Sequence, residues 1–306
     1  MSSATQHSLE GKTPSTQLPP LRCPVCSAAL VADDLGKGKQ LRCEAGHSFD
    51  RARQGYWNLL LAQRKRSKAP GDNEAMVQAR HNFLSRGHYQ PIATSIQECM
   101  TGLVSEKLAD EVAHPKPALV LDLGCGEGYY TKQIHQALTS VSKNTQCVGL
   151  DISKPAILHA SKQHKQITWL VATGADIPLM PDSVDIATLI FARLLPEPTA
   201  KILKPRGYFL VVWPGPDHLR ELREQIYTDV RDSDLNPDEQ LLSLFESINT
   251  QTCHFRFKLN DGDSINYLLM MTPHGQRLSQ ATKKTIVALE QLEIQADIRL
   301  SLYRKR

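Results

Sequence analysis

The sequence predicts an α/β fold, a mostly parallel sheet wound between helices, preceded by a small metal-binding module. Three observations carry this. From residue 118 onward, apolar runs of strand length alternate with helical stretches; a glycine-rich turn follows the first of those runs; and three of the seven cysteines cluster within residues 23–43. The 306 residues suffice for one complete α/β domain plus an extra piece. A 41% hydrophobic content supports a sizeable core, and the formal charge of +4 permits a nucleic-acid partner without demanding one.

Residues 1–20, rich in Ser, Thr and Pro, read as a disordered tail and lack the apolar stretch of a signal peptide. Residues 21–62 read as a zinc-binding module. Cys23-Pro-Val-Cys26 and Cys43-Glu-Ala-Gly-His47 form C-x2-C-x16-C-x3-H. Two close pairs on two turns can converge as a tetrahedral Cys3His site for one structural Zn2+, with no position left open for catalysis. An odd number of cysteines, clustered in a chain read as cytoplasmic, points to metal rather than disulfides. Asp33, Asp34, Gly36 and Gly38 mark a hairpin loop between the pairs. So short a segment cannot bury enough surface to fold alone, so metal supplies the missing stability.

Downstream lie Arg51, Arg53, Arg64, Lys65, Arg66 and Lys68, cations that can meet phosphates. Tyr56 and Trp57 either stack on bases or bury against the zinc lobe. Residues 63–115 read as a helical linker. Pro70-Gly71-Asp72 makes a turn, residues 73–86 form a helix capped by Asp72 or Asn73, and residues 90–110 form a second. Pro115 and Pro117 punctuate the entry to the main domain, residues 116–306.

Residues 118–123 form a continuous apolar run with one acid, as expected of a buried parallel strand. It leads into Gly124-Cys125-Gly126-Glu127-Gly128 and a helix from Tyr129 to about Thr139. Such a turn lets a ligand approach the backbone closely. A second strand, 147–150, ends at Asp151, an acid placed to take the two ribose hydroxyls of an adenosine. The spacing lacks the G-x-G-x-x-G pyrophosphate fingerprint. Asp122 is awkward beside a pyrophosphate but suits a ligand carrying an amino group. Together these favour S-adenosyl-L-methionine over a dinucleotide. Further strands follow at 167–172, 185–192 and 208–213, and segments 253–259 and 298–303 alternate as a closing antiparallel pair. This is a Rossmann-like class I methyltransferase sheet of seven strands. No apolar run reaches the roughly 20 residues needed to span a bilayer, so the expectation is a cytoplasmic protein with no membrane partner.

Several segments resemble the bacterial 23S rRNA (guanine-N1)-methyltransferases. They are residues 122–131, the zinc set, Arg66-Ser67 with Pro70-Gly71-Asp72, Gly87-His88-Tyr89-Gln90-Pro91, Pro214-Gly215-Pro216-Asp217-His218-Leu219 and Met271-Thr272-Pro273. The resemblance covers nearly the whole chain from about residue 21. It implies a zinc-ribbon lobe for RNA recognition, a Rossmann-like catalytic lobe, often a homodimer, and a cleft for a 23S rRNA hairpin loop. It also implies a cofactor site on Tyr89, the glycine loop, Tyr130, Thr131, Asp151 and His218. Core packing is the alternative for Tyr89 and Tyr130, and a capping or surface role for His218. Two departures stand out: the segment Arg193–Lys204, and Lys204-Pro205-Arg206-Gly207 where Lys-Pro-Gly-Gly is usual.

Guanine N1 carries a proton at neutral pH, and no residue is assignable as its base; Asp176 and Asp182 are near by topology only. There is no Asn/Asp-Pro-Pro-aromatic motif for exocyclic amines and no Pro-Cys nucleophile for cytosine C5. Pairing hides N1, so the target is an unpaired or extruded guanine. A small-molecule methyltransferase and a non-catalytic RNA-binding assembly factor are the rival readings. A resistance enzyme acting on a guanine at the macrolide-binding region is a variant within the family.

Overall fold

A computed structural model describes residues 18–33, 38–64, 67–110, 118–143, 145–230, 235–276 and 278–306. Most of the expected tail, with Asp34, Gly36, Lys65, Arg66, Pro115 and Pro117, lies outside the described residues.

Three short strands, β1 (Val31–Ala32), β2 (Gln40–Arg42) and β3 (Ser48–Asp50), make an antiparallel ribbon. After β4 (Trp57–Asn58) come α1 (Glu74–Ser85) and α2 (Gln90–Asp110). The α/β alternation then runs β5 (Leu119–Leu123), α3 (Tyr129–Val141), β6 (Gln146–Asp151), α4 (Lys154–Gln163), β7 (Thr168–Val171), β8 (Val184–Ile190), α5 (Pro196–Ile202), β9 (Leu203–Pro214) and α6 (Arg220–Ile226). A long hairpin closes it, β10 (Phe245–Leu259) with β11 (Leu292–Lys305).

The main sheet has the order β10-β11-β9-β8-β5-β6-β7-β4. Strand β11 is antiparallel to both neighbours, and the pairs from β9 to β4 are parallel. Seven strands are those expected from the sequence. The eighth, β4, comes from the N-terminal module: Trp57 pairs with Leu170 and Asn58 with Val171, and the Leu59 amide donates to the Val171 carbonyl at 2.9 Å. An exposed β7 edge would leave a row of unpaired backbone groups, and β4 covers it. Two residues are too short to show any periodicity, so the sequence carried no sign of this strand.

Alternation along the strands splits the core in two. Leu119, Leu121 and Leu123 face one side with Leu170, Phe209 and Tyr303, and Val120 faces the other with Ile186 and Trp169. The first side is completed by Leu21, Leu41 and Trp57 of the metal module, the second by Phe83, Ile92 and Ile96 of the linker helices. The module and linker are thus layers of one body. Further backbone bonds tie it down, with Arg22 N donating to Pro178 O at 3.0 Å and Met180 N to Pro20 O at 2.9 Å.

Local chemistry explains the helix starts. Asn73, rather than Asp72, caps α1 through its side chain to the Met76 amide at 3.0 Å. Ser153 caps α4. Helix α3 buries Thr131, Ile134 and Leu138, one face at helical spacing, against the sheet.

Candidate functional site

The four expected metal ligands converge. The ligand atoms of Cys23, Cys26, Cys43 and His47 all lie within 4.8 Å of one another, the one such group among the described residues. Cys26 Sγ is 3.6 Å from Cys43 Sγ, and His47 Nδ1 is 3.7 Å from Cys23 Sγ and 3.4 Å from Cys43 Sγ. Ideal tetrahedral zinc sets thiolate sulfurs about 3.8 Å apart and sulfur and nitrogen about 3.6 Å apart, from bond lengths near 2.3 and 2.0–2.1 Å. Each pair sits on a tight turn, closed by Ser27 N to Cys23 O at 2.9 Å and Gly46 N to Cys43 O at 3.0 Å. The donor set and its spacing fit one structural Zn2+.

The second centre lies where β5 ends. Asp122 is buried, and both its oxygens accept hydroxyls, from Thr131 at 2.5 Å and Thr188 at 2.8 Å. It thereby ties the first turn of α3 to β8. Asp151 ends β6 and accepts the amides of Gly126 at 2.9 Å and Ser153 at 2.7 Å. One lone pair on each of its oxygens remains for a ligand. Asp151 therefore shapes the glycine loop and keeps spare acceptor capacity beside it. The loop turns through left-handed backbone, and a Cβ on Gly124 would stand 2.8 Å from Ala192 Cβ, which brings the residues after β8 to its lip.

The linker roofs this loop. Arg80 of α1 lies across Gly126 and pairs with Asp72, and Ser153 Oγ donates to the Asp72 carbonyl at 2.7 Å. Beyond them stand aromatic rings. Tyr89 is buried, with its centroid 6.3 Å from that of His218; Phe191 lies 6.4 Å from both Tyr89 and Tyr130 and 6.2 Å from His218. All nine residues expected at a cofactor site thus occupy one contiguous region, drawn from α2's entry, β5, α3, β6 and the turn before α6. Sequence reasoning missed Arg80 and Asp72, which lie over the loop, and Phe191, which stands at the edge of this region. The Pro-Gly-Asp turn and an aromatic at the end of the fourth main-domain strand were the available signals.

Burial governs the electrostatics. It pushes the Asp122 carboxyl up to about 6 against the pull of the two hydroxyls, and Glu127 up to about 7, only partly offset by Arg80. The His218 imidazole is held down at about 3 by burial, with the charges of His274 and Arg223 adding to it, so it is neutral at physiological pH. Three buried polar atoms around the loop have no hydrogen-bond partner: Glu127 Oε1, Tyr130 OH and His218 Nδ1. Buried carboxylates and orphaned polar atoms beside a glycine loop are what a cationic, polar ligand such as S-adenosyl-L-methionine would satisfy.

The expected cation run is partly used internally. Arg64 and Arg22 both pair with Asp176, and Arg51 sits over the Trp57 ring at 5.8 Å. Tyr56 and Trp57 are buried, which leaves them as core and removes them as base-stacking groups. A concavity of about 620 Å³ opens instead at the seam between module and domain, where Lys39, Arg51, Arg53 and Lys165 gather around Gln54 and Gly55. Lys165 comes from the far side of the seam and donates to the Gln54 carbonyl at 2.8 Å.

Comparison with known proteins matches both parts of the chain to families. Residues 21–68 match the zinc-ribbon family described as "RlmA, N-terminal", and residues 120–207 match a methyltransferase domain. A 23S rRNA (guanine(748)-N(1))-methyltransferase of Streptomyces fradiae is 35% identical, over 83% of this chain and 84% of its own. A protein of Micromonospora griseorubida, provisionally named a 23S rRNA (guanine-N(1)-)-methyltransferase, is 33% identical over 94% of this chain and 98% of its own. YxjB of Bacillus subtilis, with the same provisional name, is 30% identical over 90% and 94%. With its Cys3His centre, its methyltransferase domain and its similarity to these relatives over most of its length, the chain belongs to the family of 23S rRNA (guanine-N1)-methyltransferases, enzymes using S-adenosyl-L-methionine.

Proposed function

We propose that this chain transfers the methyl group of S-adenosyl-L-methionine to N1 of an unpaired guanine in a hairpin loop of 23S rRNA, in the cytoplasm. The observation that carries the reading is the seam: the metal module shares a sheet with the glycine-loop domain and forms a four-cation concavity with it. A zinc module joined to the domain through a basic concavity favours an RNA acceptor over a small molecule, and the glycine loop favours catalysis over RNA binding alone. The concavity suits phosphates, which position an RNA without reading its sequence.

Tyr89, Asp122, the loop of Gly124, Gly126 and Gly128, Tyr130, Thr131, Asp151 and His218 would hold the cofactor. When bound, it supplies an electrophilic methyl group on a sulfonium. The chain's own task is to place guanine N1 in line with that methyl and to exclude water. Asp122 and Glu127 offer negative charge to a cationic ligand. The ring of Tyr130 and neutral His218 offer polar atoms that add no charge to the site. The N1 proton leaves to solvent or to a base that none of these residues is assigned to be. A homodimer, implied by the family resemblance, belongs to the same reading and is checked by sedimentation.

The test is methyl transfer from labelled cofactor to protein-free 23S rRNA lacking its native modifications, followed by mass spectrometry of the nucleosides. The reading expects 1-methylguanosine at one mapped position. No incorporation by protein shown to hold zinc and cofactor would overturn it.

A further inference from the structure

Phe191 is held in a way that packing alone does not explain. It follows β8 directly, and its backbone has φ +53°, the left-handed region that bulky side chains avoid. Its amide donates to the Val212 carbonyl at 2.9 Å, so the neighbouring strand pins it there. The ring is 40% exposed, unlike the buried apolar residues leading up to it in β8. A strained backbone that presents an apolar ring to solvent is what a binding surface, not a core, selects for.

The surroundings say what would bind. Ala192, the next residue, abuts Gly124 at the cofactor loop, so Phe191 stands at the lip of that loop. His218 lies nearly parallel to it, 11° between planes at 6.2 Å, and Tyr89 and Tyr130 flank it at 43° and 58°. These neighbours come from three separate elements, and Tyr130 and His218 each carry a buried polar atom without a partner. A flat apolar face beside unsatisfied polar atoms matches a planar heteroaromatic ring with hydrogen-bonding edges. Stacking fixes the plane of such a ring and leaves its edge free to point at the methyl donor.

We propose that Phe191 is the platform on which the acceptor base stacks for methyl transfer. The assignment rests on the reading above, that the acceptor is a guanine in RNA. The left-handed backbone is the means by which the chain turns the ring toward the base.

The experiment compares the parent with Phe191→Gly, Phe191→Leu and Phe191→Tyr, each as the full zinc-loaded chain. It measures kcat/KM on unmodified 23S rRNA, cofactor Kd by calorimetry, and Tm. Phe191→Gly relieves the backbone strain but gives up the packing of the ring's buried part, so its Tm is expected to stay within a few degrees of the parent's, with cofactor Kd within twofold. Its kcat/KM is expected to fall about 5- to 150-fold, the range of one base–aromatic stack. Phe191→Leu falls similarly, and Phe191→Tyr keeps at least roughly a third of the activity, since a phenol ring stacks as well as a phenyl. Unchanged kcat/KM in Phe191→Gly, a parallel loss of cofactor affinity, or a Tm drop that accounts for the loss would each overturn the assignment. If the parent methylates no RNA, the acceptor reading falls and takes this one with it; if the parent methylates and Phe191→Gly does so equally, only the platform falls.

Discussion

Gly128, where the glycine loop becomes α3, offers the sharpest test of how the site is built. Its backbone sits at φ 89°, ψ 11°, and a Cβ there would stand 2.6 Å from the Trp169 ring and 3.0 Å from Ala160 Cβ. The Trp169 ring cannot step aside. It is 1% exposed, its Nε1 donates to the His164 carbonyl at 2.7 Å, and Gly149 packs so closely on it that a Cβ there would stand 2.3 Å from the ring. Gly128→Ala therefore meets two penalties. Left-handed backbone costs an alanine roughly 1–2 kcal/mol, and overpacking against a fixed ring costs typically about 1–3 kcal/mol. Together they lower stability by about 2–5 kcal/mol, or roughly 3–8 °C in Tm for a chain of this size. Cofactor affinity should fall as well, because Thr131, three residues on, holds Asp122. Gly102→Ala is the internal control. Gly102 lies within α2, and a Cβ there meets nothing within 4 Å. Alanine at that position should stabilise by about 0.5–1 kcal/mol through helix propensity alone. Urea unfolding followed by tryptophan fluorescence reads both. A Gly128→Ala protein as stable as the parent, or equal effects at the two positions, would refute the reasoning.

Three further outcomes are expected. Because burial raises Asp122 to about 6 from an unfolded value near 3.8, its contribution to apo stability is full below pH 3.8 and lost as pH rises through 6. At pH 8, Asp122→Asn should therefore be more stable than the parent by roughly 1–3 kcal/mol, while the parent's cofactor affinity should weaken as pH falls through 6; a parent affinity flat between pH 5 and 8 would sink this. Removing zinc by chelation or by Cys43→Ser should move one cooperative thermal transition down by on the order of 10 °C, since Leu21, Leu41 and Trp57 share a core with the main sheet; an unaltered main transition with only the module lost would contradict it. Arg206 stands at φ 61° on the exposed entry to β9, so Arg206→Gly should stabilise by about 0.5–1 kcal/mol without altering methyl transfer, since relief of left-handed strain outweighs glycine's added unfolded-state freedom. A urea midpoint lower than the parent's would count against that.

Much of this protein could be read from local pattern. The Cys23–His47 spacing sufficed for the metal centre because its ligands lie on two short turns, and a turn is a local object. The glycine loop and Asp151 were legible because a strand-to-helix turn and a strand end are marked by a few adjacent residues. Burial of Trp57 and its pairing with Leu170 were not legible, because an edge strand of two residues is specified by the partner edge it covers, 113 positions away. The same holds for Arg64, which reads as a free cation until Asp176 is placed beside it. Arg80 over Gly126 and Phe191 against His218 arise only when the linker, β8 and the turn before α6 meet at the open end of the sheet. Sequence alone determined what chemistry the chain carries, because ligand sets and phosphate-free glycine turns are short-range. The tertiary structure decided which of the described cations pair internally and which aromatic rings gather beside the glycine loop, because those depend on contacts among distant residues that no local period encodes.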